Sequence, residues 1–344
     1  FLLDLVPMKI AIDARQAYAT QKAGKGQWTK GFIEELLSRD ADVTLLTEDM
    51  FPSGIRWHFH AATYVKNNAY DAYISPTSMI VPAILASRVP CITMIHDLIA
   101  FRSEPHSLKA KIIERLLLRS VVKHAAHICT ISEATTVDLV ERFPSADSKT
   151  TAIYAGPMSS APQKNSPDGK TILCAGTLCP RKNQLRLIRA FASLPEELRA
   201  SHRLVLVGGR GWNDQEIVDL CEKVKGVEWK DYVTDDEYQE LLSSATVLAH
   251  PSLYEGFGLQ VLDALQRGIP VMTADRGSLS EVVGDAALLI DPEDDVSIAQ
   301  GLQELLQNDE LRQNLASQGP EQAKYFTWKR TVDLFLESLE KALY

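Results

Sequence analysis

The chain has 344 residues, of which 45% are hydrophobic and 24% are charged. These proportions are typical of a folded globular protein and exclude the disordered and collagen-like classes. The formal net charge of −9 argues against bulk nucleic-acid binding, and no apolar stretch approaches the roughly 18 residues of a membrane-spanning helix. The length is enough for about two domains.

The cysteines and histidines predict neither disulfides nor a metal site. The cysteines are few, widely spaced and without a C-x-x-C pair, which favours a reducing cytosol. They are Cys91, Cys129, Cys174, Cys179 and Cys221. The pairs His58-x-His60 and His124-x-x-His127 lack Cys or carboxylate partners at metal spacing, so we expect no metal. Residues 1–7 lack the basic start and cleavage site of a signal peptide, and we expect Met8 to be the natural start.

Short apolar strands alternate with amphipathic helices along the first half of the chain. This alternation predicts a doubly wound, mostly parallel sheet of the α/β class. The predicted strands are 9–13, 43–47, 72–75, 91–96 and 127–131. The predicted helices are 26–38, 107–124 and 132–143. A segment rich in Pro, Ser and Gly, residues 156–170, is expected to be a linker.

The same alternation restarts after the linker, which predicts a second Rossmann-like domain. Its predicted strands are 171–176, 203–208, 226–229, 246–250 and 270–274. Its predicted helices are 184–193, 215–225, 235–244, 258–267 and 296–307, followed by a final amphipathic helix, 328–343. We therefore expect domains at 8–160 and 166–325 that face each other across a cleft. The segment 326–344 is expected to pack back on the first domain.

The strongest local motif is HPSLYEGFGLQVLDA, from His250 to Ala264. An apolar strand ends in a glycine-rich turn that opens a helix, and the free N–H groups and dipole there suit an anion. Glu255 and Asp263 are eight residues apart, about 12 Å along a helix, so they could hold separate parts of one ligand. The alternative is a strand–turn–helix with an N-capping Glu255 and an exposed Asp263.

Two further motifs follow predicted strands. In AGTLCPRKNQ, Arg181 and Lys182 fall where the chain enters a helix and suit a diphosphate, although a solvated basic turn is the alternative. In TMIHDLIAF, His96 and Asp97 end an apolar run, which suits either a packing histidine or a catalytic one. Ligands of open α/β sheets bind at the carboxyl ends of strands, where both motifs lie.

The loop AGKGQW, from Ala23 to Trp28, carries glycines at positions 24 and 26. It does not match G-x-G-x-x-G, because Thr29 takes the place of the third glycine. The loop is therefore not a dinucleotide fingerprint, although it would let backbone approach a ligand closely.

Together these motifs resemble the retaining nucleotide-sugar glycosyltransferases of family four, which have the GT-B fold. The resemblance covers nearly the whole chain in order. It rests on KIAIDAR with the glycine-rich loop, IHDL, TISEAT, GTLCPRKN, LVLVGGRGW, YEGFGLQVLDA and the late FTW. The GTLCPRKN and GGRGW variants resemble those of bacterial mannosyltransferase-type members.

The resemblance implies roles for particular residues. Arg181 and Lys182 would bind the donor diphosphate and stabilise the leaving group, Glu255 would contact the donor sugar, and His96 would face that sugar near the reacting carbon. Further donor contacts are implied for Asp97, Tyr232, Val233, Gly256, Phe257, Gly258 and Asp263. Gly24 and Gly26 would border the acceptor. Two positions depart from the family pattern: Gly176-Thr177 replaces Gly-Arg, and Asp263 replaces a glutamate that holds ribose hydroxyls.

The charge of the chain is distributed unevenly, and the predicted helix 107–124 carries a stripe of basic residues. Residues 1–165 carry a net charge of +2 and residues 166–344 carry −11. Lys111, Arg115, Arg119 and Lys123 recur every four residues, and the interleaved Ile112, Ile113, Leu116, Leu117 and Leu118 are expected to form the apolar side. One hypothesis is that the stripe meets a lipid-linked diphosphate or the inner membrane surface. The alternative is a solvated helix face.

The motifs and the resemblance together imply a retaining, metal-independent glycosyltransferase without a cofactor. We expect a nucleotide-activated hexose as donor, with GDP-mannose first, and a saccharide or lipid-linked saccharide as acceptor in surface polysaccharide synthesis. The expected location is cytoplasmic, with the membrane contact as a hypothesis and nucleic acid excluded as a partner. Two alternatives stay open: a GT-B sugar-nucleotide epimerase and a non-catalytic sugar-nucleotide-binding subunit.

Overall fold

A computed structural model describes residues 8–20, 24–39, 41–101, 108–158 and 165–344, without the side chains of 108–110. Residues 1–7, Ala23, Ser107 and the middle of the expected linker, 159–164, lie outside the described residues. The chain divides into two compact units. The first takes its described residues from Phe1–Arg102, Leu108–Gly156 and Thr327–Tyr344, and the second from Pro157–Phe326.

The first unit contains a six-stranded parallel sheet in the order β2-β1-β3-β4-β5-β6. Its strands are β1 (Ile10–Asp13), β2 (Val43–Leu46), β3 (Ala72–Ser75), β4 (Cys91–Ile95), β5 (His127–Thr130) and β6 (Thr150–Ala152). The five strands predicted from the sequence are confirmed to within one residue at each end, and β6 is an addition. Nearly every residue of β1, β3, β4 and β5 is buried, as expected for a parallel sheet covered on both faces.

Six α-helices lie in the described part of the first unit. They are α1 (Gly24–Leu37), α2 (Ile55–Asn67), α3 (Ile80–Leu85), α4 (Leu108–His124), α5 (Glu133–Arg142) and α14 (Trp328–Leu343). The expectation that Gly24 and Gly26 lie in a loop is wrong, because α1 already begins at Gly24. Burial of Trp28 and Phe32 on one face of α1, four residues apart, favours helix over this whole segment.

The last helix, α14, packs against α1 and β5 within the first unit. The Thr327 side chain caps it by accepting a hydrogen bond from the N–H of Arg330. The ring of Trp328 lies where a β-carbon on Gly31 or Gly156 would collide with it, so both positions need glycine for lack of space. Phe32 of α1 meets Phe335 of α14 edge to face, with ring centroids 5.0 Å apart.

The second unit repeats the architecture with its own parallel sheet, in the order β12-β11-β10-β7-β8-β9. Its strands are β7 (Thr171–Ala175), β8 (Arg203–Val207), β9 (Val227–Lys230), β10 (Val247–His250), β11 (Val271–Ala274) and β12 (Leu288–Ile290). Its helices are α6 (Gln184–Ser193), α7 (Glu196–Ser201), α8 (Gln215–Lys223), α9 (Asp235–Ser244), α10 (Leu259–Gln266), α11 (Leu279–Val283), α12 (Asp295–Gln307) and α13 (Asp309–Ala323). The predicted elements are confirmed to within two residues, while β12, α7, α11 and α13 are additions.

Among the described residues, no helix is both long and apolar enough to cross a membrane.

Candidate functional site

Two loops of the second unit leave the carboxyl ends of β7 and β10, which are neighbouring strands. After β7 the chain turns at Gly176, whose φ of +145° is a conformation that side chains disfavour. A single helical turn, Pro180–Lys182, then carries the two adjacent cations of the AGTLCPRKNQ motif. The loop after β10 carries Glu255. Both predicted motifs therefore lie at the edge where ligands of open α/β sheets bind.

Hydrogen bonds to backbone carbonyls fix the two loops to each other. Asn183 has a left-handed conformation with φ of +63°, and its Nδ2 donates to the carbonyls of Pro251 at 3.0 Å and Pro292 at 2.7 Å. The N–H of Leu253 donates to the carbonyl of Arg181 at 2.9 Å. The backbone segments that carry the cations and the carboxylate are thus held in register before any ligand binds.

Glu255 is buried and binds both cations. Its Oε2 lies 2.9 Å from Nη1 of Arg181, and its Oε1 lies 2.6 Å from Nζ of Lys182. Nη1 of Arg181 also donates to the carbonyl of Tyr254 at 2.8 Å. Burial alone would raise the pKa of Glu255, but Arg181 and Lys182 outweigh it and hold that pKa well below its usual value. The carboxylate is therefore ionised throughout the neutral range.

His250 is a member of this site that the sequence analysis did not single out. Its Nε2 lies 3.3 Å from Oε1 of Glu255 and 3.2 Å from Oγ of Ser252. Burial, with a further contribution from Lys182, lowers the pKa of His250, so its ring is neutral at pH 7. A carboxylate only accepts hydrogen bonds, so the tautomer that donates from Nε2 satisfies Glu255. The signal available in the sequence was a polar residue closing a buried strand.

The cluster has a net positive charge and can therefore bind an anion. Arg181 and Lys182 carry two positive charges against one carboxylate, and His250 adds none. The two cationic side chains keep 20% and 11% of their surface exposed, so a ligand can reach them. Charge-assisted hydrogen bonds to phosphate oxygens are among the stronger polar interactions, and burial reduces their screening by water. The cluster fits a diphosphate better than a neutral ligand.

The glycine-rich turn that follows Glu255 contributes backbone to the site. Gly258 has φ of +98° and caps α10, and an added β-carbon would lie 2.9 Å from Cδ2 of Leu279. The ring of Phe257 is buried and meets Phe326 edge to face at 5.5 Å, so it serves the core of the unit. Gly256 and Gly258 have no side chain to shield the first N–H groups of α10, which remain the anion-binding feature of this turn.

Asp263 lies on the buried side of α10, contrary to the alternative expectation of an exposed residue. Its Oδ1 accepts a hydrogen bond of 2.7 Å from the N–H of Met158, while Oδ2 has no partner among the described residues. Burial outweighs that hydrogen bond and raises the pKa of Asp263 to about 7. The side chain is 1% exposed here, so its contact with a ribose stays a prediction.

Tyr232 and Val233 follow β9, with Asp231 in between, and were predicted as donor contacts. Tyr232 is 40% exposed, and its N–H donates to Oδ1 of Asp231 at 2.7 Å. The donor contacts of Tyr232 and Val233, which are expected to be made largely through backbone, stay a prediction.

The remaining predicted residues belong to the first unit. His96 follows β4 and is buried, with its Nε2 2.7 Å from the carbonyl of Pro76 and its ring edge-on to Trp28 at 5.2 Å. Burial, assisted by Lys25, lowers the pKa of His96 to about 4, so its ring is neutral at pH 7. Since a carbonyl accepts, Nε2 carries the proton and Nδ1 is an acceptor. Asp97 lies 3.8 Å from Nζ of Lys25.

Comparison with known proteins identifies the family. The model described as "Glycosyl transferases group 1" matches residues 159–322, and the model "Glycosyltransferase Family 4" matches residues 26–156. The chain belongs to the family-four glycosyltransferases. The GT-B fold is supported by the crystal structure of Anabaena Alr3699/HepE in complex with UDP and glucose. That chain has a TM-score of 0.77 and 19% identity, and the similarity covers 97% of this chain and 99% of that one.

Two curated relatives are mannosyltransferases by name. O-antigen chain mannosyltransferase B of Escherichia coli is 40% identical over 160 residues, which are 46% of this chain and 42% of the relative. O-antigen chain mannosyltransferase RfbU of Salmonella typhimurium is 28% identical over 209 residues, 59% of this chain and 57% of the relative. The chain thus spans about half the length of these relatives.

Proposed function

We propose that the chain is a retaining, metal-independent glycosyltransferase that transfers a hexose from a nucleotide diphosphate sugar. The observation that carries the proposal is the cation pair Arg181 and Lys182, held on the buried carboxylate of Glu255 at the carboxyl ends of β7 and β10. We propose GDP-mannose as the first donor to test, because both curated relatives above are mannosyltransferases by name. The proposed acceptor is a saccharide or a lipid-linked saccharide of a surface polysaccharide.

The proposed chemistry needs few groups from the protein. Cleavage of the bond between sugar and diphosphate puts negative charge on the leaving group, which Arg181, Lys182 and the start of α10 would stabilise. Fixed cations of this kind would do the work that a metal ion does elsewhere, so no metal is required. The leaving phosphate itself would accept the proton of the acceptor hydroxyl on the face it departs from. Retention of configuration follows from attack on that same face.

Product analysis tests this proposal. The purified chain is incubated with GDP-mannose, with and without mannose-containing saccharides, and the released nucleotide and new glycosides are quantified. We expect transfer with retained anomeric configuration, read by NMR, and unchanged rates in the presence of EDTA. Interconversion of the sugar nucleotide without an acceptor would instead indicate an epimerase, and absence of both transfer and hydrolysis would indicate a binding subunit. Inversion, or loss of activity in EDTA, would contradict the stated mechanism.

We further propose that α4 contacts an anionic membrane surface. Much of the expected apolar side of this helix is exposed: Leu118 is buried, but Ile112 and Leu116 are 60% and 64% exposed. Arg119 and Lys123 are exposed on the same face, and neither has an ion-pair partner among the described residues. Exposed aliphatic side chains beside unpaired basic ones are typical of helices that lie in the lipid headgroup region.

The other two members of the basic stripe contribute less to this surface. Nε of Arg115 donates to the carbonyl of Ala100 at 2.7 Å, so its guanidinium is bound to the protein body. Lys111 is half-buried. The surface proposed for lipid is therefore Ile112, Leu116, Arg119 and Lys123.

Co-sedimentation with phosphatidylglycerol vesicles tests this contact. The variant Arg119→Gln/Lys123→Gln and the variant Leu116→Ser should each bind fewer vesicles than the unaltered chain. Arg56→Gln/Lys66→Gln removes two exposed charges from α2 of the same unit and should bind as before. Equal binding by all four proteins would refute the contact.

A further inference from the structure

His250, the last residue of β10, is a buried partner of the carboxylate of Glu255. That carboxylate has three partners, which are Arg181 at 2.9 Å, Lys182 at 2.6 Å and His250 at 3.3 Å. The two cations are also the groups proposed to bind the donor diphosphate. We propose that His250 is a positioning residue for the donor sugar, because its Nε2–H holds the carboxylate of Glu255 in place while the two cations bind the diphosphate. The inference rests on the proposed glycosyltransferase function and deepens it.

Contacts with neighbouring segments hold His250 in the sheet. Its carbonyl accepts a hydrogen bond of 2.9 Å from Oγ1 of Thr273, which lies on the adjacent strand β11. The next residue is Pro251, whose ring restricts the backbone and whose carbonyl accepts from Nδ2 of Asn183 at 3.0 Å. A side chain carried by a strand of the sheet is positioned more precisely than one carried by a loop. His250 therefore presents Nε2 to the carboxylate from a rigid support.

The histidine differs from the two cations in what it can bind. Burial and the charge of Lys182 lower the pKa of the His250 ring, so the ring is neutral at pH 7 and does not attract a phosphate. Arg181 and Lys182 keep part of their side-chain surface exposed, whereas the side chain of His250 is 1% exposed. A diphosphate can therefore compete with Glu255 for the cations, but it cannot compete for the histidine.

The carboxylate of Glu255 needs such a partner when the donor binds. Its two oxygens offer about four lone-pair sites, so three donors leave room for a sugar hydroxyl. If the diphosphate draws the cations away, a buried carboxylate loses donors, which is costly unless another donor stays. The Nε2 proton of His250 is shared between Oε1 of Glu255 at 3.3 Å and Oγ of Ser252 at 3.2 Å. The carboxylate thus keeps one neutral donor, and its orientation, with the donor bound.

Three substitutions separate this role from packing. His250→Phe keeps an aromatic ring and removes the N–H donor, while His250→Gln places an amide N–H near the position of Nε2. His127→Phe is the matched control, because His127 is a buried histidine on β5 of the first unit whose pKa is lowered to about 4, so that it too is neutral at pH 7.

Titration calorimetry on the full chain measures the affinities for GDP and GDP-mannose, and for UDP and UDP-glucose. For the pair that binds, His250→Phe should lower the affinity for the nucleotide sugar, relative to the nucleotide alone, by about tenfold, which is the usual effect of losing one hydrogen bond. His250→Gln should restore most of that relative affinity, and His127→Phe should leave it unchanged.

NMR of the unaltered chain, labelled with heavy nitrogen at histidine, tests the same role without a sugar nucleotide. The ring signals of His250 are assigned by their loss in His250→Gln. At pH 7 the ring should be neutral and carry its proton on Nε2, both alone and with enough pyrophosphate to raise the melting temperature.

The outcomes that overturn the inference differ from failure of the proposed function. An unchanged relative affinity in His250→Phe, an equal loss in His127→Phe, or a proton on Nδ1 with pyrophosphate bound would each refute the positioning role of His250. Absence of binding of all four nucleotides to the unaltered chain would instead count against the donor site and the proposed function.

Discussion

Replacing Glu255 by glutamine removes one charge from the donor cluster while keeping the shape of the side chain. Arg181 and Lys182 then lie side by side without their carboxylate, with 20% and 11% of their side chains exposed. Removing one partner of a buried ion pair costs about 3–5 kcal/mol, and residual solvent access favours the lower end. We therefore expect Glu255→Gln to lower the free energy of unfolding by about 3 kcal/mol, or roughly 6–12 °C in the melting temperature of such a domain.

A diphosphate should reverse part of this loss. The variant cluster carries two net positive charges instead of one, so GDP or pyrophosphate should raise its melting temperature by more than it raises that of the unaltered chain. Transfer should nevertheless fall, because Glu255 is proposed to contact the donor sugar. Differential scanning fluorimetry with and without GDP measures the first effect, and nucleotide release from GDP-mannose measures the second.

The pH dependence of the same variant follows from the lowered pKa of Glu255. A depressed carboxylate pKa contributes stability that is present above the unfolded value of about 4.5 and is lost as the pH falls toward the folded value. The difference in the free energy of unfolding between Glu255→Gln and the unaltered chain should therefore be full at pH 7 and shrink below pH 4.5.

Glu216→Gln, which breaks an exposed pair with Arg189, is the control and should cost under about 1 kcal/mol. Equal stability of the Glu255 variant and the unaltered chain at pH 7, or equal stabilisation of both by GDP, would refute this account of the cluster.

Three further predictions concern other positions. Lys182→Ala should weaken GDP binding by about 2–3 kcal/mol in calorimetry, since it removes a charge-assisted contact to phosphate; unchanged affinity would contradict that role. Asp263→Asn should stabilise the chain by up to about 4 kcal/mol at pH 8 and by nothing below pH 4, because the pKa near 7 means that ionising Asp263 disfavours the folded state. Urea unfolding at the two pH values measures this free energy, and an effect independent of pH would count against it. Trp328→Ala should cost about 3–5 kcal/mol by emptying the space beside Gly31, and a loss below 1 kcal/mol would mean that the docking of α14 stabilises little.

Helices were predicted well from the sequence where their apolar residues lie on one face only. The helix α6 was predicted with the bounds it has, because Leu187, Ile188 and Phe191 are buried while the opposite face is polar. The helix α2 was missed because Ile55 and Phe59 are exposed while Trp57 and Val65 are buried, so apolar residues occur all round it.

Another helix forms although some of its own residues disfavour helix, because tertiary contacts stabilise it. The helix α13 contains Gly319 and Pro320, which both disfavour helix. Gly319 nevertheless sits where a β-carbon would lie 2.8 Å from the carbonyl oxygen of Leu265, so close packing on α10 accounts for the glycine there. No pattern within the segment 309–323 contains that information.

The candidate site was predicted only in part, because some of its contacts join residues that are far apart in the sequence. Spacing and strand-end position were enough to single out Arg181, Lys182 and Glu255, which the structure brings together. They could not indicate that His250 and Asn183 complete the cluster, because those contacts join residues between 5 and 109 positions apart. The burial of Asp263 under Met158 is likewise a long-range feature, with 105 positions between the two residues.

The measurement that tests the central claim most directly is the difference in affinity between GDP and GMP, repeated for UDP and UMP, in the unaltered chain and in Lys182→Ala. Each pair of ligands shares its base and ribose, so the difference isolates the second phosphate. If Arg181 and Lys182 bind a donor diphosphate, at least one diphosphate will bind the unaltered chain more tightly than its monophosphate, and Lys182→Ala will largely abolish that preference. Equal affinities for both members of each pair, or a preference that survives in the variant, would contradict the claim.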